Sequence, residues 1–272
     1  GIRDAQESRG LGDCIRDSIK GEGEARPSDM WYDSALFYDK LQKTGIGQKA
    51  LERVLRKLGQ RKTASGKYTL IVDSLNSSRL LSPLLSALYG SSLQQHNSFL
   101  LDKLNTKVGA DCLTLTDEPH LIGANGAGYF DAEGVATERR PIFDQGILKT
   151  YFIDTYNSKK MGVPPTISSP SVLVMAPGGK SLDELLAGVG KGILVTGFNG
   201  GNCNSTTGDF SYGIEGFLVE DGRMVQPVNE MNVTGNMLTL WQSLAAVGND
   251  PRLSSSWRIP SLLFEGVDFS GL

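Results

Sequence analysis

The sequence predicts an α+β fold: a mostly antiparallel, β-rich body built from hairpins, with several helices packed on it. Three observations predict this. Strand-like runs follow one another, and the helical runs are not interleaved regularly between them. The 33 glycines lie without a period among hairpin-like segments, which marks a turn-rich chain and not a fibrous one. Two stretches, residues 134–154 and 197–228, carry arms joined by Asp144-Gln145-Gly146 and by Asp221-Gly222, residues suited to the tight reversal of a hairpin.

Taken in order, the first 29 residues mix charges and glycines with little periodicity, so they bury little alone; a strand is expected near residues 14–20. From Ile46, Ala50, Leu51, Val54, Leu55 and Leu58 recur at helical spacing and Gly59 follows as a stop, predicting an amphipathic helix. Tyr68 to Val72 reads as a buried strand. Leu80, Leu81, Leu84, Leu85 and Leu88 form the apolar face of a second helix, with Pro83 expected in its first turn. Strand then helix suggests a small α/β corner.

Residues 99–101 and 112–116 are too short to assign between strand and helical turn. The hairpin at 134–154 carries Pro141, which predicts an edge or a bulge. Residues 163–170, rich in Pro and Ser, read as a loop. Ser181 and Glu184 have capping-box spacing, so a helix starts there and ends near Gly190 or Gly192. Ile193 to Thr196 leads as a strand into a loop of Gly, Asn, Ser and Thr, and the second hairpin follows. Residues 237–247 read as a helix capped by Asn236, and residues 261–264 and 267–269 as the last strands.

Composition narrows the function. With 27 basic and 30 acidic residues the net charge is −3, and no dense Lys/Arg patch is interleaved with aromatics, so direct nucleic-acid binding is not expected. No apolar run approaches the roughly 18 to 20 residues a membrane-crossing helix needs, and no signal-peptide pattern opens the chain. The expectation is a cytoplasmic protein without a membrane partner. Cys14, Cys112 and Cys203 are odd in number and lack CxxC spacing, which fits reduced thiols.

The chemistry-bearing residues give no catalytic motif. His96 and His120 are the two histidines, and neither belongs to an HExxH-like pair, so no metal site and no cofactor is expected within this chain. GxSxG is absent, and residues 123–128 lack the GxGxxG order. Cys203 could serve as a nucleophile only with a base that no motif supplies. The glycine-rich loop is the best binding candidate. Gly200, Gly201 and Gly208 permit close backbone approach, and Asn202, Asn204, Thr206, Thr207, Asp209 and Ser211 offer short polar groups to a substrate. The same residues also describe a long surface loop that satisfies its own turns.

Several uncommon strings occur together: residues 130–162 (FDAEGVATERRPIFDQGILKTYFIDTYNSKKMG), 202–228 (NCNSTTGDFSYGIEGFLVEDGRMVQPV), MNVTGNM from Met231, AVGND ending at Asp250, and PSLLFEGVDFSG near the end. With them the chain resembles the TldD/PmbA family, known as modulators of DNA gyrase and as peptidases. FLLDKL at residues 99–104 is similar to the PmbA branch, also called TldE.

The resemblance implies a mostly antiparallel C-terminal domain over residues 46–272, with residues 1–45 a linker or the remnant of an N-terminal domain. It implies a complex of two related subunits that cleaves unfolded peptides and trims precursor peptides, with zinc held by a TldD-like partner through an HExxxH helix and a downstream cysteine. Aligned there, this chain has residues 79–88, rich in leucine, and residues 254–260, SSSWRIP. The expected role is a non-catalytic subunit that helps bind peptide. Two other readings stay open: a self-associating peptide-binding or regulatory protein without proteolysis, and a peptidase using Cys203 or a serine.

Overall fold

The computed structural model describes residues 12–21 and 26–272. Its strands are β1 (Gly12–Ser18), β2 (Ser28–Ser34), β3 (Gly66–Val72), β4 (Leu115–Asp117), β5 (Arg140–Asp144), β6 (Ile147–Leu148), β7 (Leu173–Met175), β8 (Lys191–Phe198), β9 (Asn202–Cys203), β10 (Asp209–Glu220), β11 (Arg223–Asn236), β12 (Leu244–Val247), β13 (Trp257–Arg258) and β14 (Leu262–Ser270). The α-helices are α1 (Ile46–Leu55), α2 (Ser78–Ala87), α3 (Gly90–Gln94), α4 (Thr155–Met161), α5 (Leu182–Ala187) and α6 (Met237–Gln242). The fold is α+β, and its strand pairs are antiparallel except β3–β8 and β13–β7.

The main sheet closes on itself. β11 pairs with β10, β10 with β8, β8 with β3, β3 with β14, and residues 268–270 of β14 return to residues 232–234 of β11. A ring of five strands results. β12 and β9 extend it, and a second sheet runs β13-β7-β4-β5-β6.

Alternation along the ring strands builds two apolar layers. Leu70 and Val72 of β3, Ile193 and Val195 of β8, and Leu262 and Phe264 of β14 join the large core with the leucines of α2, Phe143, Phe152 and Trp241. Ile71, Leu194 and Leu263, the residues between them, point the other way and pack with Leu185 and Leu186 of α5. With both faces covered, a strand reads as an unbroken apolar run such as YTLIV.

Turn chemistry sets the register of the long hairpin. Asp221 and Gly222 both have positive φ, 46° and 77°, the backbone of a two-residue type I′ reversal. The hairpin at β5–β6 is tighter than the three-residue loop the sequence suggests: Asp144 pairs with Ile147, and only Gln145 and Gly146, both at positive φ, lie between. Pro141 sits at a register shift against β4, the bulge it predicted.

Four elements differ from expectation. Pro83 lies in the middle of α2, not in its first turn, and there it forgoes one helical hydrogen bond, to the Arg79 carbonyl. Burial of Leu80, Leu81, Leu84 and Leu85 holds the helix nonetheless. α5 stops at Ala187, before either glycine proposed as its end. The helix expected over 237–247 stops at Gln242, and Leu244–Val247 becomes β12 because β14 supplies a pairing partner. The last two strands are one, β14, interrupted by a bulge where Gly266 takes φ of 65°.

Strands β1 and β2 form an antiparallel pair that lies against α1. The tie is ionic. The Lys57 ammonium, 2% exposed, donates to Asp29 (3.0 Å), Glu215 (2.7 Å) and the Ser28 carbonyl (3.0 Å), one acceptor for each N–H.

Candidate functional site

Strand β3 ends at Val72, and from Asp73 the chain turns into α2. The Asp73 carbonyl accepts from the Asn76 and Ser77 amides, and the Asn76 side chain donates to Asp73 Oδ1 (2.7 Å) and to the Thr196 carbonyl on β8 (2.8 Å). This fixes the first turn of α2 beside the end of β8. On the other flank Ser77 Oγ, fully buried, donates to the Ile259 carbonyl (3.2 Å), which brings the segment holding Trp257 alongside.

An open groove of about 560 Å³ lies between these parts, lined by Leu75, Asn76, Ser78, Arg79, Ser82, Phe198 and Trp257. That volume is within the range of small-ligand sites. The β3 ladder along β8 stops at Val72–Val195, so residues 196–198 have no strand partner on the side of α2. Arg79 reaches across to donate to the Gly201 carbonyl (3.2 Å), and its guanidinium lies 4.8 Å from the centroid of the Tyr212 ring. Phe198 meets that ring edge-on at 5.8 Å, and Phe210 stacks on it at 5.3 Å. Burial pushes the Tyr212 phenol up to about 12.

The glycine-rich loop borders this groove, and its residues divide into two sets. Asn204 Oδ1 accepts from the Thr206 and Thr207 amides, a side-chain turn. Thr206 Oγ1 donates to Asn97, Thr207 Oγ1 donates to Asp209 (2.8 Å), and Asp209 also accepts from the side chain of Asn236, the residue that caps α6. Asn204, Thr206, Thr207 and Asp209 are therefore bound within the loop and its neighbours. Asn202 and Ser211 face each other across β9–β10, both exposed, with side chains that make no hydrogen bond to the described residues. Asp209 is held below its usual range by the Asn236 side chain and then by Thr207.

The cysteine reading gains little from the geometry. Burial, with Asp209 close by, raises the Cys203 thiol, which disfavours the nucleophilic thiolate. His120 is hydrogen-bonded to Thr137 and packs against Tyr129.

The family profile of the PmbA/TldA metallopeptidase C-terminal domain matches residues 65–271. The chain belongs to this family. Metalloprotease PmbA of Escherichia coli O157:H7 is 32% identical over 228 residues, 83% of this chain and 51% of its own length. The chain thus spans about half the length of the curated relatives it matches. A solved structure from Bacteroides thetaiotaomicron, described as a candidate modulator of DNA gyrase, superposes with a TM-score of 0.95 at 72% identity, over 96% of this chain and 60% of that one. TldE of Thermococcus kodakarensis superposes at 0.85 with 22% identity, over 96% and 62%, a likeness of fold. Within the family the chain sits in the PmbA branch, as FLLDKL suggested.

The metalloprotease names raise the question of a metal. Among the described residues no group of three or more His, Cys, Asp or Glu is placed to hold one. The two segments where the resemblance would place a metal-binding helix and cysteine, residues 79–88 and 254–260, both line the groove, and there they present Arg79, Ser82 and Trp257. Hydroxyl, guanidinium and indole do not make a zinc donor set. The residues that sequence reasoning missed are these groove residues. Their signal was the pair of aligned segments, which are remote in sequence and adjacent in the fold.

Proposed function

We propose that the chain is the PmbA/TldE-type subunit of a two-subunit metallopeptidase, binding unfolded or precursor peptides while a TldD-like partner supplies zinc and the hydrolytic step. One observation carries this reading: residues 79–88 and 254–260, where the resemblance would place the partner's metal ligands, both line a groove whose described residues offer no metal donor set but have the polar and aromatic lining of a peptide site. An extended peptide would lie along the unpaired edge of residues 196–198, recognised mainly through its backbone. Asn202 and Ser211 would contact it, and Asn204, Thr206, Thr207 and Asp209 would hold the loop in shape. Residues 46–272 would act as the C-terminal domain and residues 1–45 as the linker or remnant before it. The free thiols of Cys14, Cys112 and Cys203 suit a cytoplasmic setting.

The test is cleavage of an unfolded peptide, with zinc quantified in the same sample, for this chain alone and mixed with a TldD-type partner. Activity only in the mixture, with zinc following the partner, supports the proposal. Chelator-sensitive cleavage by this chain alone overturns it. Asn204→Ala with Asp209→Ala tests the loop: unchanged peptide affinity would remove it from the site. The description of the Bacteroides relative favours a second reading, a self-associating regulatory protein without proteolysis; peptide binding with no cleavage in any mixture would support that instead.

A further inference from the structure

Among the described residues Arg79 is the sole charged one lining the groove, since Leu75, Asn76, Ser78, Ser82, Phe198 and Trp257 complete the wall. Three arginines elsewhere are paired with carboxylates: Arg53 with Asp29, Arg139 with Glu118, Arg140 with Glu138. Arg79 has no carboxylate of the described residues within 4.0 Å; its partners are the Gly201 carbonyl and the Tyr212 ring. A guanidinium has five N–H donors in a planar fork, and one carbonyl and one ring face leave most of that fork open.

The cation is also held in place. Its position over the ring of Tyr212, itself packed against Phe198 and Phe210, and its bond to the Gly201 carbonyl restrain the guanidinium and lower the rotamer entropy lost when a ligand binds. On the same helix the Ser78 and Ser82 hydroxyls make no hydrogen bond to the described residues, and Phe198 and Trp257 provide apolar surface in the groove wall. A fixed, unpaired guanidinium with hydroxyl donors beside it matches a planar anion with two oxygens.

We propose that Arg79 makes this groove a receptor for a carboxylate of an extended peptide, gripped by the guanidinium fork with Ser78 and Ser82 beside it while a neighbouring apolar side chain lies against Phe198 and Trp257. The proposal rests on the peptide-binding role given above and adds what is recognised. The carboxylate has two sources, the peptide C-terminus or an Asp or Glu side chain, and one experiment separates them. Binding also weakens with salt, because the site is open and the attraction is screened over about 8–10 Å at ordinary ionic strength.

The experiment measures fluorescence anisotropy of labelled, unstructured peptides on the full chain. Three peptides share one neutral sequence: a free C-terminal acid, its C-terminal amide, and the amide with one Gln replaced by Glu. The unaltered protein is expected to bind at least one carboxylate form about tenfold more tightly than the plain amide, the scale of a charge-assisted hydrogen bond. Preference for the acid assigns the C-terminus, and preference for the Glu peptide assigns a side chain. In Arg79→Gln the preference should fall below about twofold, and in Arg79→Lys part of it should survive, since charge is kept and the fork is lost.

Equal binding of all three peptides, or an undiminished preference in Arg79→Gln, overturns the carboxylate assignment and leaves peptide binding intact. Absence of binding by every peptide, alone and with a TldD-type partner present, overturns both. The comparison among peptides on the unaltered protein needs no variant to fold.

Discussion

Tyr212 carries the support for Arg79, and its own chemistry is measurable. Its phenol is raised from an ordinary value of 10.0 to about 12 by burial, with the Cys203 thiol adding to the rise and Arg79 opposing it. A raised folded-state value means that the folded chain holds the proton more tightly than the unfolded one. The stability this contributes is complete below about pH 10 and is lost as pH climbs from about 10 to about 12; phenolate absorbance followed beside thermal melts should rise as the melting temperature falls over that range. An absorbance step for Tyr212 at its ordinary value would contradict the burial. Gly201 gives a second residue-level prediction. It sits at φ of 86°, and a Cβ there would overlap the Ser211 carbonyl oxygen and crowd the Tyr212 backbone. Gly201→Ala should therefore cost about 1–3 kcal/mol and shift the carbonyl that Arg79 binds, while Gly200→Ala, with open space around it, should cost less. Denaturant melts of both variants check the order.

At the scale of elements, caps and ties decide what holds. Ser181 accepts from the Glu184 amide while the Glu184 carboxylate accepts from the Ser181 amide, so Ser181→Ala should lower stability by about 1 kcal/mol in a denaturant melt. Loss of Lys57 is a larger matter, because Lys57→Ala would leave Glu215 partly buried without its cation and Asp29 with Arg53 alone. A loss of about 3–5 kcal/mol is expected, with earlier proteolytic cutting in the β1–β2 segment that Lys57 secures; equal resistance to protease would show that the segment is held by other contacts. These two features also mark what could be read in advance. The capping box was legible because its partners are three residues apart, and Asp221-Gly222 because the turn chemistry is local. The Lys57 tie joins residues 29, 57 and 215, and nothing in a local window announces it. The same reason explains β12: residues 244–247 look helical until β14, from elsewhere in the chain, offers a ladder. The candidate site divides the same way. The glycine-rich loop stood out by composition, whereas Arg79 looked like an ordinary polar position on an amphipathic helix, and its setting came from Gly201 and Tyr212, more than a hundred residues on.

For the molecule as a whole, the ring of strands explains how the main sheet of a glycine-rich chain closes off its edges. Closure removes edges that would otherwise pair with other chains, and it confines the unpaired backbone beside α2 to the short end of β8. The groove and the closed ring are thus consequences of one topology: β3 leaves the sheet at Val72 to become α2, and the space it vacates is where a peptide edge would fit. The prediction at this scale is that cutting the chain before β14 leaves β3 and β11 each with one unpaired edge and produces an aggregating species, detectable by light scattering, while the full chain stays dispersed. The order in which the strands are made then acquires a meaning of its own. β3 is the first of the ring strands to emerge during synthesis, yet its two partners, β8 and β14, lie more than a hundred residues behind it. Through most of translation it has nothing to pair with, so a nascent chain must keep this sticky segment sheltered until the ribosome has almost finished, and slowing synthesis late in the message would lengthen the interval in which a chaperone is needed.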